Sequence, residues 1–460
     1  MNYANSSVSF RRRSRRSRAR KRRAAAIAGL LAFMVGVLLV AHAHSASSRL
    51  APEVLPAPAV EQAVPRASFV AWSNVDRTRL SASLESAFAP AIAGAQGWSL
   101  AVVGGDGSIV YDDRAHDAVA PASVQKLIVA STALDALGPA YRFRTLFAGP
   151  QGIAGDGSLD GDLWLIGSGD PSLTSDDIRN GIGLLARSGL RRVQGALVVD
   201  ATALRGPALN PHWAPDDNGQ DYAAPTSAIS VDGDTIESQQ EINGVEERLW
   251  TPMTNVPAYV AGRVNAMLVQ DGIQAANPPA VGAAPLESVV LWAHRSAPLA
   301  VLEAHMLFVS DNHYAEQLLR AVGGATLDRP DDAGGIAAER EYLSRLGIPA
   351  PGLRLLDGSG LSPQNRVAAI TLARLLLAQE PSLYQLLPRG GREGTLEDYD
   401  FTTALGRVRA KSGHLSGVSS LAGYVVTPRH GRVTFAFLID GSPADPDAAI
   451  VRAVDRLAQF

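Results

Sequence analysis

The stretch "PASVQKLIVA", residues 121–130, contains one of only three lysines among the 42 basic residues of the chain. Ser123 and Lys126 stand near the start of a helix predicted from about Ser123 to Ala136, so both side chains lie on one face of that helix. A neutral lysine can take the proton of a serine hydroxyl and turn it into a nucleophile, whereas an arginine guanidinium stays protonated. Taken alone the spacing is a weak signal, and a solvated lysine on a helix face explains it better.

The other lysine beyond residue 43 is Lys411, in "RAKSGHLSG", while arginine fills every other Lys/Arg position of that region. This usage indicates that an amine is required twice. Between the two lysines, Ser310, Asp311 and Asn312 stand at the start of a predicted helix, where all three residue types are also ordinary N-caps. In this order, Ser-x-x-Lys, Ser-Asp-Asn and Lys-Ser-Gly form the three-part signature of penicillin-binding proteins and serine β-lactamases.

The beginning of the chain differs in composition from the rest. Residues 1–23 form a basic arm with ten basic residues and no acid. Residues 24–43 ("AAAIAGLLAFMVGVLLVAHA") carry no charge, and a helix of that length spans the ~30 Å hydrocarbon core of a membrane. The positive flank predicts that the arm stays in the cytoplasm and that the rest is exported. The final "AHA" fits a signal-peptidase site, so the segment is a signal peptide or a transmembrane anchor, and its length favours the anchor.

Composition excludes several kinds of function. Beyond residue 43 the chain carries 32 basic against 45 acidic side chains, so it offers phosphates no net positive field, and we predict no nucleic-acid partner. The absence of cysteine excludes disulfides, thiol catalysis and cysteine-ligated metals. The nine histidines include no HExxH motif, and His305 and His313 fall on separate turns of the predicted helices. We therefore predict no metal and no cofactor.

Strand patterns lie near both ends of the remaining chain, with helical patterns between them. "WSLAVVGGDGSIVYD" (residues 98–112) predicts two strands around a Gly-Asp-Gly turn, and "GVSSLAGYVVT" with "GRVTFAFLID" predict a strand pair before a last helix. We expect one antiparallel sheet assembled from distant sequence, in an α/β (α+β) fold. Residues 44–75, rich in Ala, Pro and Ser, are predicted to be a linker, and residues 146–290 an inserted, smaller α/β domain.

The chain resembles the D-alanyl-D-alanine carboxypeptidase/endopeptidases, low-molecular-mass class C penicillin-binding proteins with an insertion between the first two motifs. Besides the three motifs, the resemblance rests on the strings "GDLWLIGSGDPSL" (161–173), "SDNHYAEQLLR" (310–320), "DGSGLSPQNR" (357–366), "GREGTLED" (391–398) and "KSGHLSGVSSLAGYV" (411–425). It implies a penicillin-binding-protein/β-lactamase-like transpeptidase domain, an antiparallel sheet flanked by helices, built from residues 76–145 and 291–460. The segment between the first two motifs looks shorter than in the best-known members, so one inserted module is expected where they carry two.

The same resemblance implies roles for the motif residues. Ser123 would attack the carbonyl of the penultimate D-alanine, and Lys126 would take the serine proton. Ser310 would relay protons to the leaving amine, and Asn312 would bind the substrate amide. Lys411 would place a positive charge near Ser310 and help to keep Lys126 neutral, because a neighbouring like charge lowers the pKa of an amine.

The third motif is expected to bind the end of the substrate. The hydroxyl of Ser412, which stands where threonine is commoner, would receive the terminal carboxylate. The backbone N–H groups of Ser123 and His414 would form the oxyanion hole. Gly413, between Ser412 and His414, is included among the substrate-binding residues.

Three functions remain open on these grounds. The favoured one is an exported, periplasmic or extracytoplasmic serine peptidase that cleaves peptidoglycan peptides ending in, or cross-linked through, D-alanine and is acylated by β-lactams. The second is a β-lactamase, although no Glu-x-x-Leu-Asn string follows the second motif to position a deacylating water. The third is a non-catalytic wall-binding relative, which would have no need for two amines among so many arginines. The membrane would be a partner only through residues 24–43.

Overall fold

The computed structural model describes residues 70–242, 245–442 and 444–460. The predicted basic arm, the segment 24–43 and most of the predicted linker lie outside these residues. Within the described ranges, no helix combines the length and the apolar character needed to cross a membrane.

Strands and helices are named in chain order. The strands are β1 (Gly97–Val103), β2 (Ile109–Asp113), β3 (Ala118–Val119), β4 (Arg144–Gly149), β5 (Ser158–Leu159), β6 (Leu163–Ile166), β7 (Arg192–Val193), β8 (Leu197–Asp200), β9 (Thr235–Ile242), β10 (Val245–Pro252), β11 (Gln274–Ala275), β12 (Ala280–Val281), β13 (Val289–Arg295), β14 (Val367–Ala368), β15 (Val408–Leu415), β16 (Val418–Thr427) and β17 (Gly431–Asp440). The helices are α1 (Asn74–Ile92), α2 (Lys126–Leu137), α3 (Ser175–Arg187), α4 (Val256–Gln270), α5 (Leu299–Val309), α6 (Asn312–Leu327), α7 (Asp332–Arg345), α8 (Ala369–Ala378), α9 (Glu380–Leu383) and α10 (Pro446–Leu457).

One five-stranded antiparallel sheet, of order β15-β16-β17-β1-β2, joins strands from both ends of the described chain. Along β1, Gly97 lies opposite Asp440 and Val103 opposite Thr434. This sheet confirms the predicted assembly of one antiparallel sheet from distant sequence, and with the helices around it confirms the predicted fold class.

Both faces of this sheet are buried, because successive side chains of a strand point to opposite sides. Leu100 and Val102 of β1 pack into a core with α1 and α10. Ala101 and Val103 pack into a second core with α2 and α8. The sheet is therefore the middle layer between two layers of helices, and α2, which carries Lys126, contributes to the second core.

A second five-stranded sheet, of order β12-β8-β6-β4-β13, lies within residues 144–295. β6, β8 and β12 run parallel, while β4 and β13 are antiparallel to their neighbours. Its core is filled by α3 and α4, and α3 begins with a capping box between Thr174 and Asp177. This mixed sheet falls in the segment predicted as an inserted α/β domain, and the boundaries at 146 and 290 stay a prediction.

Candidate active site

Ser123 lies in a tight turn that precedes a buried helix. The helix predicted from about Ser123 begins as a 3-10 turn, Ala122–Gln125, and becomes α-helical at Lys126. Ala122 has a positive φ of 50°, a conformation that costs free energy for a residue with a Cβ. The Lys126 side chain is fully buried, and its amine lies 2.9 Å from the Ser123 hydroxyl oxygen. The sequence spacing therefore places the two side chains in direct contact.

The amine of Lys126 is held from two further sides. It donates to Asn312 Oδ1 and to the backbone carbonyl of Ser359, each at 2.7 Å. With the Ser123 hydroxyl these acceptors match the three protons of an ammonium group. Burial lowers the pKa of Lys126 to about 8, against the opposing effect of nearby acids. A fraction of the amine is thus neutral near neutral pH, which a proton acceptor requires.

Ser310 lies at a sharp break between two helices. α5 ends at Val309, and its C-cap Ser310 has a left-handed backbone (φ 64°, ψ 40°). Asp311 then caps α6 by accepting the backbone N–H of Tyr314 at 3.1 Å. Asn312 is the first residue of α6. The Asn312 amide donates to the carbonyl of Tyr222 at 2.9 Å, so the segment after β8 contacts this motif.

Lys411 lies on β15, at the edge of the main sheet, and is fully buried. Its amine donates to the Ser310 hydroxyl at 2.9 Å and to the carbonyl of Ser412 at 2.6 Å. Burial and the charge of Lys126 hold the pKa of Lys411 well below its usual range. Burial is the largest cause of the lowered pKa of Lys126, and repulsion between the two amines contributes to the lowered pKa of Lys411.

The residues after Lys411 face the nucleophile. The Ser412 hydroxyl donates to Thr395 Oγ1 at 2.8 Å. A Cβ on Gly413 would lie 2.8 Å from the backbone nitrogen of Ser123, so only glycine lets the strand pass this close. The exposed His414 ring contacts Asp447 at 3.0 Å. Because β15 is the outer strand of its sheet, its free edge can pair with an extended peptide.

Several residues of this network carry no motif and were not assigned a role from the sequence. In the string "DGSGLSPQNR", the backbone carbonyl of Ser359 accepts a hydrogen bond from the Lys126 amine. The buried Asp357 carboxylate accepts the N–H groups of Gly360 and Ser362 at 2.9 and 2.6 Å. The buried Glu316 carboxylate accepts the backbone N–H of Ser359 at 2.8 Å. The only sequence signal was the spacing of four residues between Asn312 and Glu316, which puts both on one helix face.

A cleft of about 330 Å³ opens beside the second motif. It is lined by Ser310, Asp311 and Asn312 and, across from them, by Tyr222 and Trp250. Among the described residues, no group of three or more His, Asp or Glu side chains is arranged to hold a metal ion.

The profile of the D-Ala-D-Ala carboxypeptidase 3 (S13) family matches residues 80–247 and 240–459. A carboxypeptidase of Mycobacterium tuberculosis is 33% identical over 364 residues, 74% of this chain and 74% of the relative. The D-alanyl-D-alanine carboxypeptidase of Actinomadura sp. (strain R39) is 29% identical, over 81% of this chain and 82% of its own. The crystal structure of penicillin-binding protein 4 from Haemophilus influenzae has a TM-score of 0.75 at 23% identity, covering 82% of this chain and 99% of that one.

These matches confirm the family resemblance and the fold that the motifs predicted. They span both the segments that carry the serine and lysine motifs and the second sheet between them. The chain therefore belongs to the D-Ala-D-Ala carboxypeptidase 3 (S13) family and is a serine-type carboxypeptidase, a hydrolase, of that family.

Proposed function

We propose that Ser123 is the nucleophile of a D-alanyl-D-alanine carboxypeptidase/endopeptidase that cleaves peptidoglycan peptides. One observation carries the proposal: two buried amines, Lys126 and Lys411, each lie 2.9 Å from a serine hydroxyl, and each donates to a residue of the second motif. Burying two amines costs free energy, which indicates that both have a role. Arginine fills the ordinary cationic positions of the chain. A neutral amine beside a serine is the arrangement that activates a hydroxyl.

Acylation then proceeds in two steps. Ser123 Oγ forms a bond to the carbonyl carbon of the penultimate D-alanine while its proton passes to Lys126, giving a tetrahedral intermediate with a negative oxygen. That oxygen would be held by the N–H groups of Ser123 and His414. The C–N bond then breaks, and the leaving amine takes a proton delivered through the Ser310 hydroxyl. The products are an ester on Ser123 and free D-alanine, or a free cross-link amine.

Hydrolysis of the ester uses the same groups, with the direction of the proton transfers reversed. A water molecule attacks the ester carbonyl, loses its proton to the amine and hydroxyl network, and Ser123 leaves with a proton restored to its oxygen. The substrate would extend along the free edge of β15, with its terminal carboxylate at Ser412 and its amide at Asn312. A β-lactam is a cyclic amide, so attack by Ser123 in the same first step would open its ring and acylate the serine.

The location of the reaction follows from the substrate. We propose that the described part of the chain is extracytoplasmic, and that residues 24–43 direct its export, either as a signal peptide or as an anchor in the inner membrane. The charge of residues 1–23 supports this orientation, because a basic flank stays in the cytoplasm.

The test is time-resolved intact mass spectrometry of the full-length protein, purified in detergent and mixed with benzylpenicillin, beside the Ser123→Ala variant. We expect an adduct of the mass of the drug that persists on the wild-type protein and does not form on the variant. Absence of an adduct on well-folded wild-type protein would contradict the serine mechanism. Rapid loss of the adduct with turnover of the drug would indicate a β-lactamase. Digestion of purified muropeptides then separates carboxypeptidase from endopeptidase action.

A further inference from the structure

Glu316 is a buried acid that no catalytic motif includes. It lies on α6, one helical turn after Asn312, and its side chain is 2% exposed. An ionised carboxylate in a protein interior is costly unless it is hydrogen-bonded or paired with a charge. Glu316 has such partners: it accepts the backbone N–H of Ser359 at 2.8 Å and that of Gly358 at 3.1 and 3.2 Å.

The hydrogen bonds of Glu316 connect it to Lys126 through a single residue. Ser359 donates its N–H to Glu316 and accepts the Lys126 amine on its own carbonyl at 2.7 Å. Asn312, on the same helix as Glu316, accepts the same amine at 2.7 Å. Helix α6 therefore holds the amine of Lys126 twice, once directly and once through the turn that Glu316 anchors.

The turn has no room to take another position. A Cβ on Gly358 would lie 2.7 Å from the carbonyl oxygen of Ala315 in α6. A Cβ on Gly360, whose φ is +81°, would lie 2.0 Å from the carbonyl oxygen of Ala122. The turn is thus packed, backbone against backbone, between the Glu316 helix and the Ser123 turn. A change in the charge of Glu316 changes the environment of the Lys126 amine, because both residues are hydrogen-bonded to the same short segment.

The charged groups around the two residues are few. Lys126 faces Glu316, Asp357 and Asp311 as acids and Lys411 as a like charge. Glu316 faces Asp357 and Asp332 together with the buried Glu339. Asp332 is paired with Arg320 at 2.6 Å, which offsets its charge.

Glu316 and Lys126 act on each other's protonation. Burial, Asp357 and Asp332 raise the pKa of Glu316, while hydrogen bonds from the Ser359 side chain and the Gly358 N–H favour its ionised form. Burial lowers the pKa of Lys126 to about 8, and Glu316 is the strongest of the groups that oppose this. When Lys126 takes the Ser123 proton, the new positive charge favours ionisation of Glu316 and is stabilised by it.

We propose that Glu316 is a positioning residue for Lys126: it anchors the turn whose Ser359 carbonyl holds the amine, and its negative charge stabilises the ammonium formed when Lys126 takes the Ser123 proton. This inference rests on the proposed role of Ser123 and Lys126. It assigns to a residue outside the three motifs control over the pH at which the serine becomes reactive.

The test compares the pH dependence of benzylpenicillin acylation in full-length wild-type protein and Glu316→Gln between pH 6 and 9.5. Glutamine keeps an oxygen where Oε1 accepts both N–H groups, and it loses the charge. We expect the acid limb of the rate to move to lower pH by roughly one unit, because the amine loses its strongest opposing acid. We also expect the plateau rate to fall, by up to roughly tenfold for one pKa unit of lost stabilisation.

Glu339→Gln is the matched control. Glu339 is also fully buried, but neither of its carboxylate oxygens has a hydrogen-bond partner in the part of the chain that the structure describes. Burial raises the pKa of Glu339 well above its usual range, and its carboxylate makes no hydrogen bond to the turn that carries Ser359. We expect an unchanged acid limb in this variant.

An acid limb of Glu316→Gln that coincides with the wild-type limb would overturn the proposal, even if the plateau rate fell, because a purely structural role moves only the rate. If the variant does not fold, the pH dependence of the wild-type acylation rate is the test. Coupling of Lys126 to a second titrating group spreads the acid limb over more than roughly two pH units, whereas titration of one independent group does not. Failure of the proposed function looks different, since the wild-type protein would then form no adduct at any pH.

Discussion

Gly413 and Ser123 approach so closely that any side chain at position 413 would collide with the backbone nitrogen of Ser123, 2.8 Å from the place of its Cβ. This contact sets the distance between the edge strand β15 and the nucleophile turn. In the proposed mechanism the same backbone nitrogen is one of the two donors to the developing oxyanion.

Gly413→Ala is therefore expected to slow acylation by roughly a hundredfold, because a displacement of about 1 Å in an active site costs that much. The rate of adduct formation with benzylpenicillin measures this effect. Gly152→Ala, at a position that also lacks a positive φ and where a Cβ meets no atom within 4 Å, is the control for the general cost of replacing a glycine. Equal rates in the two variants would show that the approach of β15 to Ser123 is not needed.

Lys126→Arg keeps the positive charge and removes the capacity to accept a proton. We expect acylation to fall by roughly 10² to 10⁴, the usual value of a general base. A variant that still forms the adduct at the wild-type rate would exclude Lys126 as the proton acceptor. Arg374→Lys, an arginine-to-lysine exchange away from the site, is the control. Arg374 lies on α8 and donates to the carbonyl of Gly107, in the turn between β1 and β2.

The wild-type acylation rate should rise with pH. Since burial lowers the pKa of Lys126 to about 8, the amine is mostly protonated below that pH and cannot accept the Ser123 proton. The rate is expected to fall up to about tenfold per pH unit well below pH 8 and to level off above it. Stopped-flow acylation from pH 6 to 9.5 measures this dependence. A rate that is flat across this range, or that falls as the pH rises through 8, would contradict a neutral Lys126.

Glu303 predicts a stability effect away from the chemistry. It is fully buried on α5, and its carboxylate has no hydrogen-bond partner among the described residues. Burial raises the pKa of Glu303 well above its usual range of about 4.5. The destabilisation of the folded state by this carboxyl group is therefore small below pH 4.5 and grows above it, because Glu303 ionises more readily in the unfolded chain than in the folded one.

Glu303→Leu should therefore raise the free energy of unfolding at pH 7 by about 1–3 kcal/mol, measured by urea unfolding. The same substitution at the exposed Glu341 should change it by less than about 0.5 kcal/mol. No gain at position 303 would mean that the carboxyl group has a partner that offsets its burial.

The three motifs were sufficient to predict the family, the fold class and the contacts of Ser123 and Lys126, because each motif combines residue types that few other sites require. The left-handed backbone of Ser310 could not be predicted in this way. Serine rarely adopts that conformation, and here tertiary packing imposes it between two helices whose apolar pattern is continuous across the break.

The roles of Glu316 and Ser359 could not be predicted either. The connection passes through a backbone N–H and a backbone carbonyl, and these groups leave no trace in the residue types of a sequence. Besides the Asn312–Glu316 spacing, the glycines at 358 and 360 indicate a close approach, but their partners lie in two distant segments.

The pairing of β1 with β17 joins Gly97 to Asp440, residues separated by almost the whole folded chain. This pairing needs the last strand of the chain, so the sheet closes only when β17 is present. β15, which carries Lys411, is joined to β1 through β16 and β17. A chain that stops short of β17 would thus carry all three motifs without the sheet that holds the third motif beside Ser123.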